Sequence, residues 1–173
     1  MSKRILVLRG LPSSGKSTWA LKKLEEEPGV WRRINKDDLR AMMDGGRHSK
    51  GNERFILKVR DYLILESLAD GKSVIVDDTN LDSKHEKRIR EIVAGTGVYA
   101  EVKFFDVPVQ ECIKRDALRV NPVGPKVIWD MYNRYLKPAP VAYEPPPNGR
   151  QAIICDLDGT LALRITDRSW FDY

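Results

Sequence analysis

Nine consecutive residues, Gly10-Leu11-Pro12-Ser13-Ser14-Gly15-Lys16-Ser17-Thr18, follow the pattern G-x-x-x-x-G-K-[ST] of a phosphate-binding P-loop. A glycine-rich turn that opens a helix aims several backbone N–H groups and the positive end of a helix dipole at one point. Gly10, Ser13, Ser14, Gly15 and Thr18 would shape this cradle. Lys16 would reach the outer phosphates of ATP, and the Ser17 hydroxyl would ligate Mg2+. A glycine turn with a chance lysine is the plainer alternative, and the flanks argue against it. Ile5-Leu6-Val7-Leu8 before the motif reads as a buried strand, and Trp19-Ala20-Leu21-Lys22-Lys23-Leu24 after it reads as a helix.

Three further groups suit the other half of a phosphoryl transfer. In Asn35-Lys36-Asp37-Asp38-Leu39-Arg40, the Asp37 carboxylate could accept the proton of an acceptor hydroxyl and aim its oxygen in line. Asp38 reads instead as a helix cap. Arg40 could hold a phosphate of the acceptor, or form a surface salt bridge. In Asp77-Asp78-Thr79-Asn80, an acidic residue could support Mg2+ or active-site arginines from behind; an Asx-turn explains the same residues. Arg115 and Arg119, four residues apart, are expected on one helical face, ahead of the breaker Asn121-Pro122-Val123-Gly124-Pro125. With a second helix from Lys126 to about Leu136 they form a helix–loop–helix lid that would close over the triphosphate. A solvated cationic face is the alternative.

The elements that must position these groups alternate along the chain. Ile5–Leu8, Val30–Ile34, Val74–Val76 and Tyr99–Phe105 read as strands, with helices over Lys16–Glu26, Glu53–Ala69 and Ser83–Ala94 and another beginning near Pro108. Ala69-Asp70-Gly71 supplies a helix stop, and Asp82 or Ser83 an N-cap. The pattern predicts an α/β fold: a four-stranded parallel sheet, helices on both faces and an arginine-bearing lid. Ligands of such sheets bind at the carboxyl ends of the strands, where the P-loop, the Asp37 group and the Asp78 group fall. Gly71-Lys72-Ser73 and Gly95-Thr96-Gly97 imitate nucleotide-binding turns, but the first precedes a strand and the second follows a helix.

Beyond residues 1–137, Pro-rich residues 138–150 read as a stiff linker, and residues 151–173 open on another apolar run, Ala152-Ile153-Ile154-Cys155. The net charge of +5 is unevenly placed: from Pro138 on there are three arginines and five acidic residues. The excess cations lie earlier, with Arg47, Lys50, Arg54, Lys58 and Arg60 set against Glu53 alone. Such a surface favours a polyanion such as nucleic acid; the nucleotide itself, or solubility, is the alternative. No apolar stretch is long enough for a membrane span, and Cys112 and Cys155 lack metal-ligand spacing, so a reducing, cytoplasmic setting is expected.

The ordered set resembles the 5′-polynucleotide kinase domain of the T-even phage polynucleotide kinase-phosphatases. The shared features are the P-loop with Ser-Thr-Trp-Ala, Asn35 to Arg40, Asp78-Thr79-Asn80, Phe105-Asp106-Val107-Pro108, Arg115 with Arg119, and Asp156-Leu157-Asp158-Gly159-Thr160. The resemblance implies a P-loop kinase fold and transfer of the ATP γ-phosphate to a 5′-hydroxyl of DNA or RNA. It makes Asp37 the general base and assigns Lys16 and Ser17 to ATP and Mg2+. Arg40 would hold the acceptor's 3′-side phosphate with Asp78 in support, and Arg119 would act from the lid. Lys36 departs from the arginine of that family.

Asp156-Leu157-Asp158-Gly159-Thr160 resembles the first motif of haloacid-dehalogenase-type phosphatases, which would make Asp156 a nucleophile and Asp158 an acid/base. The later motifs of such a site do not occur before Tyr173, so residues 151–173 are expected to be a phosphatase stub without 3′-phosphatase activity. Assembly through the rest of such a domain, and action in a phage-infected cell, also follow only from the resemblance. Two competing functions remain: a P-loop kinase for a nucleoside or metabolite, and a nucleotide-dependent binding module. A base after the second strand and paired lid arginines disfavour the binding module, and the basic run favours a polymer over a metabolite.

Overall fold

The computed structural model describes residues 3–138 apart from His48, and the chain forms a compact unit as far as Pro138. The linker and stub expected over residues 138–150 and 151–173, with Asp156 and Asp158, lie outside the described residues except for Pro138.

Four parallel strands, β1 (Ile5–Arg9), β2 (Trp31–Ile34), β3 (Ser73–Asp77) and β4 (Ala100–Phe104), form a sheet in the order β2-β3-β1-β4. Ile5 pairs in register with Val74 on one side and Ala100 on the other, so β1 is central. Among the described residues six helices accompany them: α1 (Lys16–Glu26), α2 (Lys36–Asp44), α3 (Lys50–Ala69), α4 (Ser83–Val93), α5 (Val109–Asp116) and α6 (Pro125–Tyr135).

Strand side chains alternate between two faces, and both are buried. Ile5, Val7, Val74 and Val76 pack with Ile56, Ile64 and Leu68 of α3 and Ile89 and Val93 of α4. Leu8 and Ile75 point the other way and pack with Ala20, Trp19 and Leu24 of α1. α1 therefore leaves β1 to one face while α4 leaves β3 to the opposite face. That divergence opens a crevice at the carboxyl ends of β1 and β3. Beside it, Leu11 of the P-loop joins Val109, Cys112 and Ile128 in a third cluster that seats α5 and α6.

Three sequence expectations are corrected. Helix α2 was not among the expected helices, although Asp38 was read as a helix cap. Its cap is Asn35, whose side chain accepts the Asp38 N–H at 2.9 Å; Asp38 caps nothing and pairs with Arg33 at 2.5 Å. Helix α3 starts at Lys50 rather than Glu53, because the Ser49 hydroxyl accepts the Asn52 N–H at 3.1 Å. Arg60 does not belong to the basic surface: it is fully buried and bonded to Asp61, which also pairs with Arg88. The expected cap Asp82 does accept from Lys84 N–H, at 3.0 Å.

Candidate functional site

The P-loop is built against β3 and β4. Gly10 N–H donates to the Thr79 carbonyl at 3.1 Å, and Asn80 Nδ2 donates to the Leu8 carbonyl at 2.8 Å. A Cβ on Gly10 would stand 2.8 Å from Ser14 Oγ and 3.0 Å from the Phe105 carbonyl oxygen, so only glycine fits this approach. Gly15 turns the chain into α1 at φ 90° and leaves the helix without a side-chain cap. The first hydrogen bond into α1 is Trp19 N–H to Gly15 O, so the N–H groups of Gly15, Lys16, Ser17 and Thr18 have no acceptor among the described residues. No acidic residue stands in that first turn, and the Ser17 side chain is exposed. This is the donor array that a triphosphate needs.

Lys16 lies folded beneath the loop, its Nζ donating to the carbonyls of Gly10 at 3.0 Å and Leu11 at 2.6 Å. Burial pushes its ammonium down to about 8, against the opposing pull of Asp77.

The acidic end of β3 faces the same crevice. Asp77 Oδ2 accepts from Arg33 Nε at 2.7 Å, while its Oδ1 is buried without a partner among the described residues. Asp78 Oδ1 accepts the Lys36 N–H at 3.0 Å, and its Oδ2 is likewise unpartnered, as is Asn80 Oδ1. Burial pushes the Asp78 carboxyl up, opposed by the charge and N–H of Lys36. Three orphaned acceptor oxygens, one at the end of β3 and two on the loop after it, fit an incoming hydrated cation with its nucleotide, since Mg2+ keeps several waters and takes few protein ligands. The exposed Ser17 hydroxyl, in the first turn of α1, would be the direct ligand. Asp77 was missed as an individual candidate, although its position at the very end of β3 was readable.

At the end of β2 the structure brings Asp37 and Arg40 together. Arg40 sits between two carboxylates: Nη1 bonds the exposed Asp37, and Nη2 bonds Glu53 of α3 at 2.7 Å. Glu53 also pairs with Lys36 at 3.4 Å, and despite its burial these cations hold it below the usual carboxylate range. Asp78 makes no direct contact with Arg40; it reaches this end through the Lys36 N–H. Glu53 was missed as a site residue because its partner lies 13 positions away. His85, in the first turn of α4, is pushed down to about 4 by burial and by the charges of Lys36, Arg60 and Lys84.

The expected arginine pair is not on one helical face. α5 ends at Asp116, so Arg115 sits in its last turn, bonded to Glu111 at 2.8 Å, and Arg119 lies in the following loop. Arg119 leans on Asp116 at 3.5 Å. Asp116, 2% exposed, also accepts the Ser13 hydroxyl at 3.0 Å and the Gly124 N–H at 2.9 Å. Nothing in the sequence pointed to this carboxylate. It fastens the P-loop to the segment that carries Arg119.

Comparison with known proteins gives the family of the chain. Residues 5–138 match the family described as AAA domain. The chain is 31% identical over 190 aligned positions to a protein of Autographa californica nuclear polyhedrosis virus named as a bifunctional polynucleotide kinase/RNA ligase, covering 99% of this chain and 26% of that protein. It is 30% identical over 142 positions to the L-seryl-tRNA(Sec) kinase of Methanococcus maripaludis, covering 78% of this chain and 53% of that one. A chain of the Pnkp1/Rnl/Hen1 RNA repair complex superposes with a TM-score of 0.67 at 28% identity, over 77% of this chain and 44% of its own length. The chain thus spans about a quarter to a half of these relatives.

Proposed function

This chain belongs to the AAA domain family, and from that premise we propose that it is a polynucleotide 5′-hydroxyl kinase, using ATP and Mg2+ to phosphorylate a 5′ end of DNA or RNA. The observation that carries the reading is Arg40, held at the end of β2 between Asp37 and Glu53. A base alone would suit any hydroxyl acceptor. A base joined to a braced guanidinium suits a hydroxyl whose neighbouring group is a phosphate. The names of the viral relative and of the superposed repair complex point the same way.

The chain's own groups divide the work. The N–H groups of Gly15 to Thr18, with Gly10, Ser13 and Ser14 shaping the loop, bind the triphosphate, and Lys16 turns from its carbonyls toward the outer phosphates. The Ser17 hydroxyl would hold Mg2+, which would supply charge neutralisation when bound. Asp37 accepts the proton of the 5′-hydroxyl as the new 5′-O–Pγ bond forms and the bond to the β-phosphate oxygen breaks, releasing ADP. Arg40 binds the phosphate on the acceptor's 3′ side. Asp78 acts as a positioning residue through the Lys36 N–H. Arg119 and Arg115 come over the triphosphate from the lid and neutralise transition-state charge.

The deciding experiment offers γ-labelled ATP with a 5′-hydroxyl oligonucleotide, a nucleoside 3′-monophosphate and a free nucleoside. Label on the first two supports the reading. Label on the free nucleoside alone overturns it in favour of a small-molecule kinase, and hydrolysis without transfer overturns it in favour of a binding module.

A further inference from the structure

Helix α3 (Lys50–Ala69) buries Ile56, Arg60, Ile64 and Leu68 and turns a second stripe outward. Arg54, Phe55, Lys58, Tyr62 and Leu65 are all exposed, Phe55 by 51% and Tyr62 by 62%. Residues three, four and seven apart on a helix stand in line, so these side chains form one continuous strip. Its charge is unbalanced. Arg54 and Lys58 have no acidic partner among the described residues, whereas their neighbours Lys36 and Arg40 pair with Glu53, and Arg60 and Arg88 with Asp61. From Arg54 to Leu65 the sole acidic residue is Asp61, which is buried.

Unpaired cations interleaved with exposed aromatic rings match the chemistry of a single polynucleotide strand: phosphates for the cations, base faces for the rings. The strip starts in the same turn of α3 that reaches the site, where Glu53, one residue before Arg54, braces Arg40. Phe55 and Tyr62 stand about 10 Å apart along the helix axis, room for a short run of nucleotides.

Resting on the polynucleotide reading above, we propose that this face of α3 is a docking track for the single strand that continues 3′ from the acceptor nucleotide. Arg54 and Lys58 contact its backbone, and Phe55 and Tyr62 stack its bases. A protein surface, or a second copy of this chain, would use the rings and leave the two cations idle.

The test uses the full chain and two double variants, R54S/K58S and F55S/Y62S. Acceptors are a nucleoside 3′-monophosphate, which reaches only as far as Arg40, and a 5′-hydroxyl 12-mer. Equilibrium binding of a fluorescent 12-mer is measured alongside. Both variants should turn over the mononucleotide as the wild type does and lose 12-mer affinity by about 5- to 100-fold. R54S/K58S should also flatten the plot of log affinity against log salt by about 1.4, at roughly 0.7 per lost phosphate contact. Unchanged 12-mer binding in both variants overturns the track, as does an equal loss with mononucleotide. A wild-type dimer that F55S/Y62S converts to monomer, with 12-mer binding intact, assigns the face to a copy of the chain instead. Failure of the wild type to phosphorylate any acceptor overturns the kinase reading; the binding measurement still judges the track separately.

Discussion

Asp116 accepts the Ser13 hydroxyl at 3.0 Å through the oxygen that also faces Arg119, and takes the Gly124 N–H at 2.9 Å through its other oxygen. One buried carboxylate therefore registers the P-loop, the lid loop and the start of α6 against each other. Ser13 has φ 61°, a left-handed conformation unusual for serine, and the hydrogen bond helps hold it there.

Replacing Asp116 by Ala should destabilise the fold by about 1–3 kcal/mol, because buried donors are left unmet. Asn, which keeps an acceptor oxygen, should recover part of that loss. Denaturant titration measures the stability, and steady-state kinetics should show a higher KM for ATP in the Ala variant. An unchanged KM would refute the registering role. Burial works to raise the Asp116 carboxyl, but the N–H groups of Gly124 and Val123 and the Ser13 hydroxyl outweigh it and hold it below the usual range. Its stabilisation is therefore full above its ordinary value of 3.8 and is lost as pH falls through the lower folded value; Asp116→Asn should remove that part of the acid sensitivity.

Nucleotide binding should weaken at alkaline pH. Lys16 titrates near 8 in the free protein, and a bound triphosphate favours its charged form. Affinity should be level below about pH 7 and fall by up to about tenfold per pH unit above pH 8. Lys16→Met should bind ATP more weakly and lose the slope. Calorimetry in buffers of different ionisation enthalpy would detect the accompanying proton uptake; its absence would refute the assignment.

Asp37→Asn should lower kcat for the oligonucleotide by about 10²–10⁴-fold, the range of a lost general base. The dissociation constant for ATP should stay within about twofold, because Asp37 is exposed beside Arg40 and outside the P-loop. Single-turnover transfer at the wild-type rate would exclude Asp37 as the base.

The pairing of α3 with α4 should respond unequally to its two ends. Asp61 bonds the fully buried Arg60 at 2.6 Å and Arg88, whose side chain is 47% exposed, at 2.5 Å. Asp61→Ala should cost about 3–5 kcal/mol, since it strands a buried charge. Arg88→Ala should cost less than about 1 kcal/mol, because solvent screens that end. Thermal melting of the two variants, if they were equally stable, would contradict the burial argument.

The parts of this molecule readable in sequence were those with local causes. Val74 to Val76 is an unbroken apolar run because β3 is covered on both faces, and the P-loop glycines answer to local backbone geometry. Helix α2 escaped notice because Leu39 is its only buried residue, which leaves no apolar period to detect. Arg60 looked like part of a basic run, yet its phase with Ile56 and Ile64 put it in the core; that spacing was visible. The contact between Ser13 and Asp116 spans 103 positions and left no local trace.

The cations of the crevice are already occupied at rest: Lys16 by loop carbonyls, Arg40 by Asp37 and Glu53, Arg119 by Asp116. On the kinase reading, substrate arrival would exchange ion partners at Arg40 and Arg119, and would replace carbonyls by phosphate at Lys16. The two arginines of the proposed site would then act like a loaded ion-exchange resin, giving up internal carboxylates only to an anion of fitting shape. Ionic strength should therefore act weakly on these arginines and strongly on Arg54 and Lys58.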